Sequence, residues 1–418
     1  MSDQTHARAL ELPSLKGASW LERAETRAVF DALQGAGTET RAVGGAVRNT
    51  LLGFAVTEID LATTAVPETV MALAAKAGLK AVPTGIDHGT VTLVASGVPF
   101  EVTTLRRDVE TFGRHARIAY TQDWEEDAKR RDFTLNALYA DRDGRLFDPL
   151  GGYADLLAGR VRFIGDADER IKEDYLRILR FFRFHAYYGK GPLDRAGLAA
   201  VLRLRGGLDQ LSAERVSAEL RRILTAPRAA EAIEALYDYG LLTGLLGGVP
   251  RLADFLRLVA IEAALARIPE AALRLAVLAV FVEEDVARLT QRFRLANAEQ
   301  AVLALAATVR ADAPGEAEAK AELYRLGVNA FVASMLIAWA RSGADGDDPQ
   351  WRNALALPER WQAPAFPLRG ADLVALGELK GPEIGELLRR LEAEWIADGF
   401  AGSREQLLVR AVRLRAKN

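Results

Sequence analysis

The chain contains no cysteine, which excludes a disulfide framework and any thiolate zinc site. Its four histidines, His6, His88, His115 and His185, are scattered and make no metal-ligand spacing. Long apolar runs are also missing. The longest candidate, Ala271 to Val282, is too short to span a bilayer and is interrupted by Arg274, so no membrane partner is expected. Met1-Ser2-Asp3-Gln4 lacks the basic and apolar regions of a signal peptide, and the cytoplasm is the expected location. There is no excess of positive charge: 54 Lys and Arg against 57 Asp and Glu leave a net charge of −3. Bulk charge therefore argues mildly against a nucleic-acid partner, although basic residues gather at Lys129-Arg130-Arg131, Arg177-Arg180-Arg183, Arg221-Arg222 and Arg410 to Lys417. Half of the 418 residues are apolar, enough for several packed units.

What is present begins with acids. Glu58 and Asp60 are two apart, so on a strand both face one side while Ile59 faces the other. Carboxylates are the ligands Mg²⁺ prefers, but a lone Glu-x-Asp is more often solvated surface. Upstream, Arg41 to Gly53 reads as a short strand, a turn at Gly44-Gly45, and a helix stopped by Gly53. Adjacent glycines at a helix start can admit an anion, with Arg48 one turn in to add charge; an ordinary tight turn is the plainer alternative. Gly89 to Ala95, the turn Ser96-Gly97, and Val98 to Thr104 predict a hairpin. Alternation there puts Phe100 and Val102 on one face and Glu101 with Thr103 on the other. Should Glu101 lie beside Glu58 and Asp60, three acidic groups would surround one point, which suits a two-metal clamp.

Basic and mixed pairs follow. Lys129-Arg130-Arg131 enters an apolar segment, which places Arg131 at a border between cleft and core, able to neutralise phosphate charge. The spacing predicts a helix from about Asp168 to Tyr188, with Asp174 and Arg177 on one face, Arg180 and Arg183 extending that stripe, and Leu176, Ile178, Leu179 and Phe182 on the packed side. A carboxylate beside a guanidinium can accept from the exocyclic amino group of cytosine or adenine and donate to the ring nitrogen. Guanine and uracil would leave both groups mispaired. A simple helical ion pair is the alternative.

In one order, Gly44-Gly45-x-x-Arg48, Glu58-x-Asp60, Arg130-Arg131-Asp132-Phe133-Thr134-x-Asn136-Ala137, Asp148-Pro149 to Asp155-Leu156, Glu173-Asp174-x-x-Arg177 and Leu211 to Leu220 resemble the class II CCA-adding tRNA nucleotidyltransferases and bacterial poly(A) polymerases, of the polymerase β superfamily. The resemblance runs from about Arg41 to Leu224. It implies an α+β N-terminal nucleotidyltransferase head, a mixed sheet with helices, followed by an all-α neck, body and tail. With the strand patterns ending near Ile164 and helical patterns after, the expected division is 1–165, 166–224, 225–326 and 327–418, the last being a tRNA-binding tail after the loop Ser342 to Pro349. In that tail Gly377 can end one helix, Gly381-Pro382 can start another and Gly399 can end it, with a helix start at Gly381-Pro382 available to an RNA phosphate.

By the same resemblance Gly44, Gly45 and Arg48 meet the triphosphate, and Glu58 and Asp60, with Glu101 assisting, hold two Mg²⁺ ions. Arg131 meets the nucleotide, Asp174 and Arg177 read the base, and Arg180 and Arg183 lie in the nucleotide pocket. Leu105 to His115 resembles the family's flexible loop for the switch from adding C to adding A, which argues against a CC-only enzyme. The scattered histidines tell against an appended His-Asp phosphohydrolase domain. Glu58 departs from the usual Asp-x-Asp, its extra methylene moving the carboxylate outward by about one bond length in a site that tolerates little misplacement. The implied activity is template-independent addition of C, C and A to tRNA 3′ ends from CTP and ATP, with no DNA partner. The alternatives are a poly(A) polymerase or an RNA-binding relative weakened at Glu58; a small-molecule nucleotidyltransferase leaves the helical units without evident purpose.

Overall fold

The computed structural model describes residues 11–34, 37–112, 115–375 and 381–415. The chain divides into two compact units, one running to Leu241 and the other starting at Leu242. The expected Met1 to Gln4 segment, His6, Gly113, Arg114, Gly377 and Lys417 lie outside the described residues.

The first unit is built on a seven-stranded mixed sheet. Its strands are β1 (Thr40–Val43), β2 (Asp60–Thr63), β3 (Lys80–Gly85), β4 (Thr90–Ala95), β5 (Val98–Thr104), β8 (Tyr139–Ala140) and β9 (Leu146–Phe147), in the order β3-β4-β5-β2-β1-β8-β9. β6 (Arg106–Phe112) and β7 (His115–Tyr120) form a separate two-stranded ribbon where the Leu105 to His115 loop was expected. The predicted hairpin is present. Ser96 (φ 48) and Gly97 (φ 85) both take positive φ, the backbone of a primed two-residue turn whose twist matches the strands. On β5 Phe100 and Val102 are buried and Glu101 is exposed, as alternation requires.

β2 and β5 run parallel, placing Asp60 opposite Glu101. Across the antiparallel pairs on the other side, Asp60 lies opposite Val43, Val43 opposite Tyr139, and Tyr139 opposite Phe147. One row of side chains thus crosses five strands, acidic at one end and apolar at the other. The apolar end is covered: Val43, Ala62, Leu105, Ala128, Ala137, Tyr139 and Ile164 form a buried cluster. Two helices, α1 (Ala24–Leu33) and α3 (Pro67–Lys76), supply Val29, Phe30, Leu33, Val70 and Ala74 to the core beside β4. Between them in sequence is the two-turn helix α2 (Gly45–Leu51), and after β7 comes α4 (Trp124–Lys129).

Helices follow the sheet: α5 (Gly152–Ala158), α6 (Ala167–Glu173), α7 (Leu176–Tyr188), α8 (Arg195–Leu204), α9 (Ala213–Leu224) and α10 (Ala229–Asp238). The expected single helix from Asp168 to Tyr188 is broken into α6 and α7. Asp174 has extended backbone angles (φ −155°, ψ 103°) and its Oδ1 accepts from Leu176 N at 3.1 Å. A short acidic side chain that competes for backbone N–H groups ends one helix and starts the next. α7 is fastened by aromatic packing: Phe181 meets Phe133 and Phe163, and Phe184 meets Phe133, with ring centroids 5.1 to 6.4 Å apart. Each such ring contributes roughly 2–3 kcal/mol of burial. The arginines on the other face of α7 are thereby held at a fixed height.

The second unit is helical: α11 (Leu242–Leu246), α12 (Leu252–Ala264), α13 (Ala271–Ala279), α14 (Glu283–Phe293), α15 (Asn297–Thr308), α16 (Glu316–Ser342) and shorter helices to Arg415. By length and composition α16 could cross a membrane, a candidate longer than the Ala271 to Val282 run. It is broken, however, at Gly327 (φ 73°, ψ 169°), and Phe331, Met335 to Ala340 are buried among α12, α13 and α15, the setting of a core helix. Its N-terminal half gives Ala321 and Tyr324 to a second cluster around Leu368, Leu391, Trp395 and Leu407. The loop after Ser342 is as expected. Gly381–Ala397 forms a helix, and Gly399 (φ 72°) closes it with Phe400 N donating to Trp395 O.

Candidate active site

Two acids lie in the side-chain row; the third, Glu58, precedes β2, which begins at Asp60, so the expected strand does not carry it. Asp60 and Glu101 are strand partners, and Glu58 lies two residues before Asp60, with Ile59 buried between them. Water reaches the Asp60 carboxylate, yet protein surrounds it on most sides. That burial, then the like charge of Glu101, pushes its pKa up to about 6; Glu58 adds in the same sense, while Arg131 and Arg48 pull it down. Four of the expected residues therefore act on the fifth, Asp60. Among the described residues no three acidic or histidine side chains close on a point as a ready cage for a metal ion. Glu58, Asp60 and Glu101 line a patch instead.

The two glycines do different work. Gly44 (φ 68°, ψ −112°) occupies backbone space that side chains other than hydrogen avoid, and its N–H donates to Leu138 O at 3.1 Å. Gly45 opens α2. Arg48 is buried, 7% exposed, and its donors go to neutral acceptors: Asn136 Oδ1, Asn49 Oδ1 at 3.1 Å and the Tyr188 hydroxyl at 2.8 Å. Its Nε has no hydrogen-bond partner among the described residues. Burial lowers its pKa. None of these hydrogen-bonding partners is charged, and the carboxylates of Asp132 and Asp60 act on the cation only through space.

Arg131 is held by Asp127, which is fully buried, and by Tyr139. Its Nη2 donates to Asp127 Oδ2 at 3.0 Å, its Nε to the Tyr139 hydroxyl at 3.1 Å, and that hydroxyl donates to Asp127 Oδ2 at 2.9 Å. Burial opposes the Asp127 charge, but the guanidinium groups of Arg131 and Arg130 outweigh it and hold the carboxyl at about 2.

A bonded chain then leads from Arg48 to α7. Asn136 accepts from Arg48 and donates to Asp132 Oδ1 at 2.8 Å; Asp132 Oδ2 accepts from Arg180 Nε at 2.8 Å and Nη2 at 2.5 Å. Burial again opposes the charge, and Arg180 with Asn136 overrides it, bringing Asp132 to about 2. Arg183 pairs with buried Glu219 of α9 at 2.5 Å. The expected pairing of Asp174 with Arg177 on one helix face is not what the structure has, because Asp174 sits in the break between α6 and α7. Asp174 Oδ2 accepts from Arg215 Nη2 at 2.7 Å, and Arg177 bonds Glu173 and the Arg170 carbonyl. Both still border Asp132 and Arg180: Arg177 acts on Asp132 and Asp174 on Arg180.

Sequence reading missed Asp127, Tyr139, Tyr188 and the roles of Arg215 and Glu219. Asp127 was readable, being three and four residues before Arg130 and Arg131. Tyr188 is 140 residues from Arg48 and had no local signal.

A family model described as the poly A polymerase head domain matches residues 40–162, and one described as a probable RNA and SrmB-binding site of polymerase A matches residues 193–256. The chain is 34% identical over 376 residues to CCA tRNA nucleotidyltransferase 1, mitochondrial, of Mus musculus, covering 88% of this chain and 86% of the relative. This chain belongs to the CCA-adding tRNA nucleotidyltransferase family. Within it, the CCA-adding enzyme of Latilactobacillus sakei is 30% identical, covering 93% of this chain and 97% of that enzyme. A solved CCA-adding enzyme from Bacillus stearothermophilus, in complex with CTP, superposes with a TM-score of 0.70 at 28% identity over 94% of this chain and 98% of the other. The Thermotoga maritima enzyme, complexed with tRNA, shares the fold at a TM-score of 0.66 and 19% identity, over 93% of this chain and 94% of that one. CCA-adding relatives include mitochondrial and bacterial proteins, so membership sets no compartment.

Proposed function

We propose that this chain adds C, C and A to the 3′ end of tRNA without a template, consuming CTP and ATP and releasing pyrophosphate. The observation that carries the reading is the acid patch of Asp60, Glu101 and Glu58 beside Arg48, whose hydrogen-bond partners are all neutral and which is joined through Asn136 and Asp132 to Arg180 of α7. An acid patch in which Glu101 and Glu58 raise the cost of charging Asp60, next to fixed cations, suits a nucleoside triphosphate with divalent metal.

The donor set fits Mg²⁺, which commonly takes one or two carboxylates and completes its shell with water and phosphate oxygens. Asp60 and Glu58 would hold it, with Glu101 beside them, and when bound it would supply positive charge at the reacting phosphate. In this reading Gly44 shapes the turn while Gly45, Arg48 and Arg131 receive the triphosphate. Arg180 and Arg183, fixed by Asp132 and Glu219, border the nucleotide. Asp174 accepts from the amino group of cytosine or adenine and Arg177 donates to the ring nitrogen, each oriented by its own partner rather than by the other. The RNA 3′-hydroxyl then attacks the α-phosphorus and pyrophosphate leaves. Residues 1–165 serve as head, 166–224 as base-selecting neck, 225–326 as body and 327–418 as tRNA-binding tail, in the cytoplasm.

The test is incubation with tRNA lacking its terminal CCA and each triphosphate in turn. Two C residues from CTP, then one A when ATP is added, is the expected result. Long A tails would assign a poly(A) polymerase, and no turnover would assign a relative weakened at Glu58.

A further inference from the structure

Tyr139 is a fully buried residue of β8, two strands and thus about 10 Å from Asp60 along the side-chain row. A phenylalanine would fill the same core position. The hydroxyl therefore calls for its own explanation, and satisfying Asp127 does not give one. Asp127 Oδ1 already accepts from Arg130 Nε at 2.8 Å and Nη2 at 2.7 Å, and its Oδ2 from Arg131 Nη2 at 3.0 Å and Nε at 3.3 Å.

What the hydroxyl adds is a second anchor on Arg131. It accepts from Nε at 3.1 Å while donating to Asp127 Oδ2 at 2.9 Å, so phenol, carboxylate and guanidinium close a ring of hydrogen bonds. Two fixed points determine the plane of a guanidinium, which is rigid and always charged. The remaining nitrogen, Nη1, makes no hydrogen bond among the described residues, and the Arg131 charge acts on Asp60.

We infer that Tyr139 is a positioning residue for nucleotide binding: its hydroxyl locks the plane of Arg131 so that the free edge of the guanidinium meets the incoming nucleoside triphosphate. This rests on the proposed role of Arg131 at the nucleotide. An arginine free to rotate would lose rotamer entropy on each binding event, whereas a clamped one has already lost it. The effect belongs to nucleotide affinity and not to the bond-making step.

The experiment uses the full chain with tRNA lacking CCA. Tyr139→Phe should raise KM for CTP and for ATP about five- to tenfold, leave kcat within about twofold, and leave KM for the tRNA unchanged, as expected for loss of one charge-assisted hydrogen bond. Arg131→Ala should raise the same two KM values further, and Tyr139→Phe combined with it should add nothing. If Arg131→Ala leaves nucleotide KM unchanged, the reading of Arg131 fails. Should Arg131→Ala weaken nucleotide binding while Tyr139→Phe does not, or should the two effects multiply, the inference is overturned and the hydroxyl is structural. For a Phe variant that does not fold, 3-fluorotyrosine placed at position 139 replaces it: its fluorine resonance should shift on CTP addition, and a resonance that stays put overturns the proposal.

Discussion

Replacing Arg180 by methionine tests the electrostatic joint between α7 and the sheet. Asp132 is buried and held at about 2 against an ordinary 3.8, mainly because Arg180 and Asn136 override the cost of burial. A depression of nearly two units corresponds to ~2.5 kcal/mol of stability linked to the charged form. The sign follows from the direction: the contribution is complete above pH ~4 and is lost as pH falls from there through 2. Methionine keeps the bulk but strands a buried carboxylate, and breaking such pairs from one side costs about 3–5 kcal/mol. For a unit of this size that is a fall in melting temperature of roughly 6–20 °C at pH 7. Two further results are expected. The variant should lose much of its stability difference between pH 5 and pH 3, and adding Asp132→Asn should recover part of the loss, since the stranded charge is gone. The assay is thermal unfolding by circular dichroism at pH 3, 5 and 7, following the earliest transition. A fall of under about 2 °C at pH 7, or no recovery in the double variant, would show that Arg180 does not hold the Asp132 charge.

Asp60→Asn should abolish nucleotide addition while stabilising the metal-free protein at pH 8. The Asp60 pKa is raised to about 6, so its charged form weakens the fold as pH rises from ~4 through 6. After discounting for its solvent exposure the gain is ~1 kcal/mol, read as a melting-temperature rise in chelator that disappears at pH 4. Asp174→Ala should lower the preference for CTP and ATP over GTP and UTP by at least about tenfold in kcat/KM, because the acceptor for the amino group is lost; competition between triphosphates on one tRNA reads it, and an unchanged ratio contradicts the base-reading role. Glu58→Asp should stay active, whereas Glu58→Gln should lose at least about 10²-fold in kcat. A parent that is silent until Asp is installed would show Glu58 to be a lesion.

The acid patch was legible because strand alternation is strict. Placing Glu101 opposite Phe100 and Val102 in the pleat brought it to Asp60 once β5 paired with β2. Helical periodicity misled at Asp174, where a side chain able to cap a backbone N–H stops the helix it was read into. Arg48 was found as a charge, but its surroundings were not. Asn136 and Tyr188 reach it from 88 and 140 residues away, and no local pattern encodes such distances. Tyr139 lies only eight and twelve residues from Arg131 and Asp127, yet no spacing marks it as a polar anchor inside the core.

In the proposed reaction the acids before and on β2 and on β5 and a base-reading pair near α7 serve one nucleotide. Sequencing the 3′ ends of tRNA after incubation with this chain and all four triphosphates, CTP, ATP, GTP and UTP, is the decisive measurement. The expected result is C, C and A on every extended molecule from the parent, no extension from Asp60→Asn, and misplaced G or U from Asp174→Ala. Extension by Asp60→Asn at the parental rate, or CCA ends from Asp174→Ala as faithful as those of the parent, would contradict it.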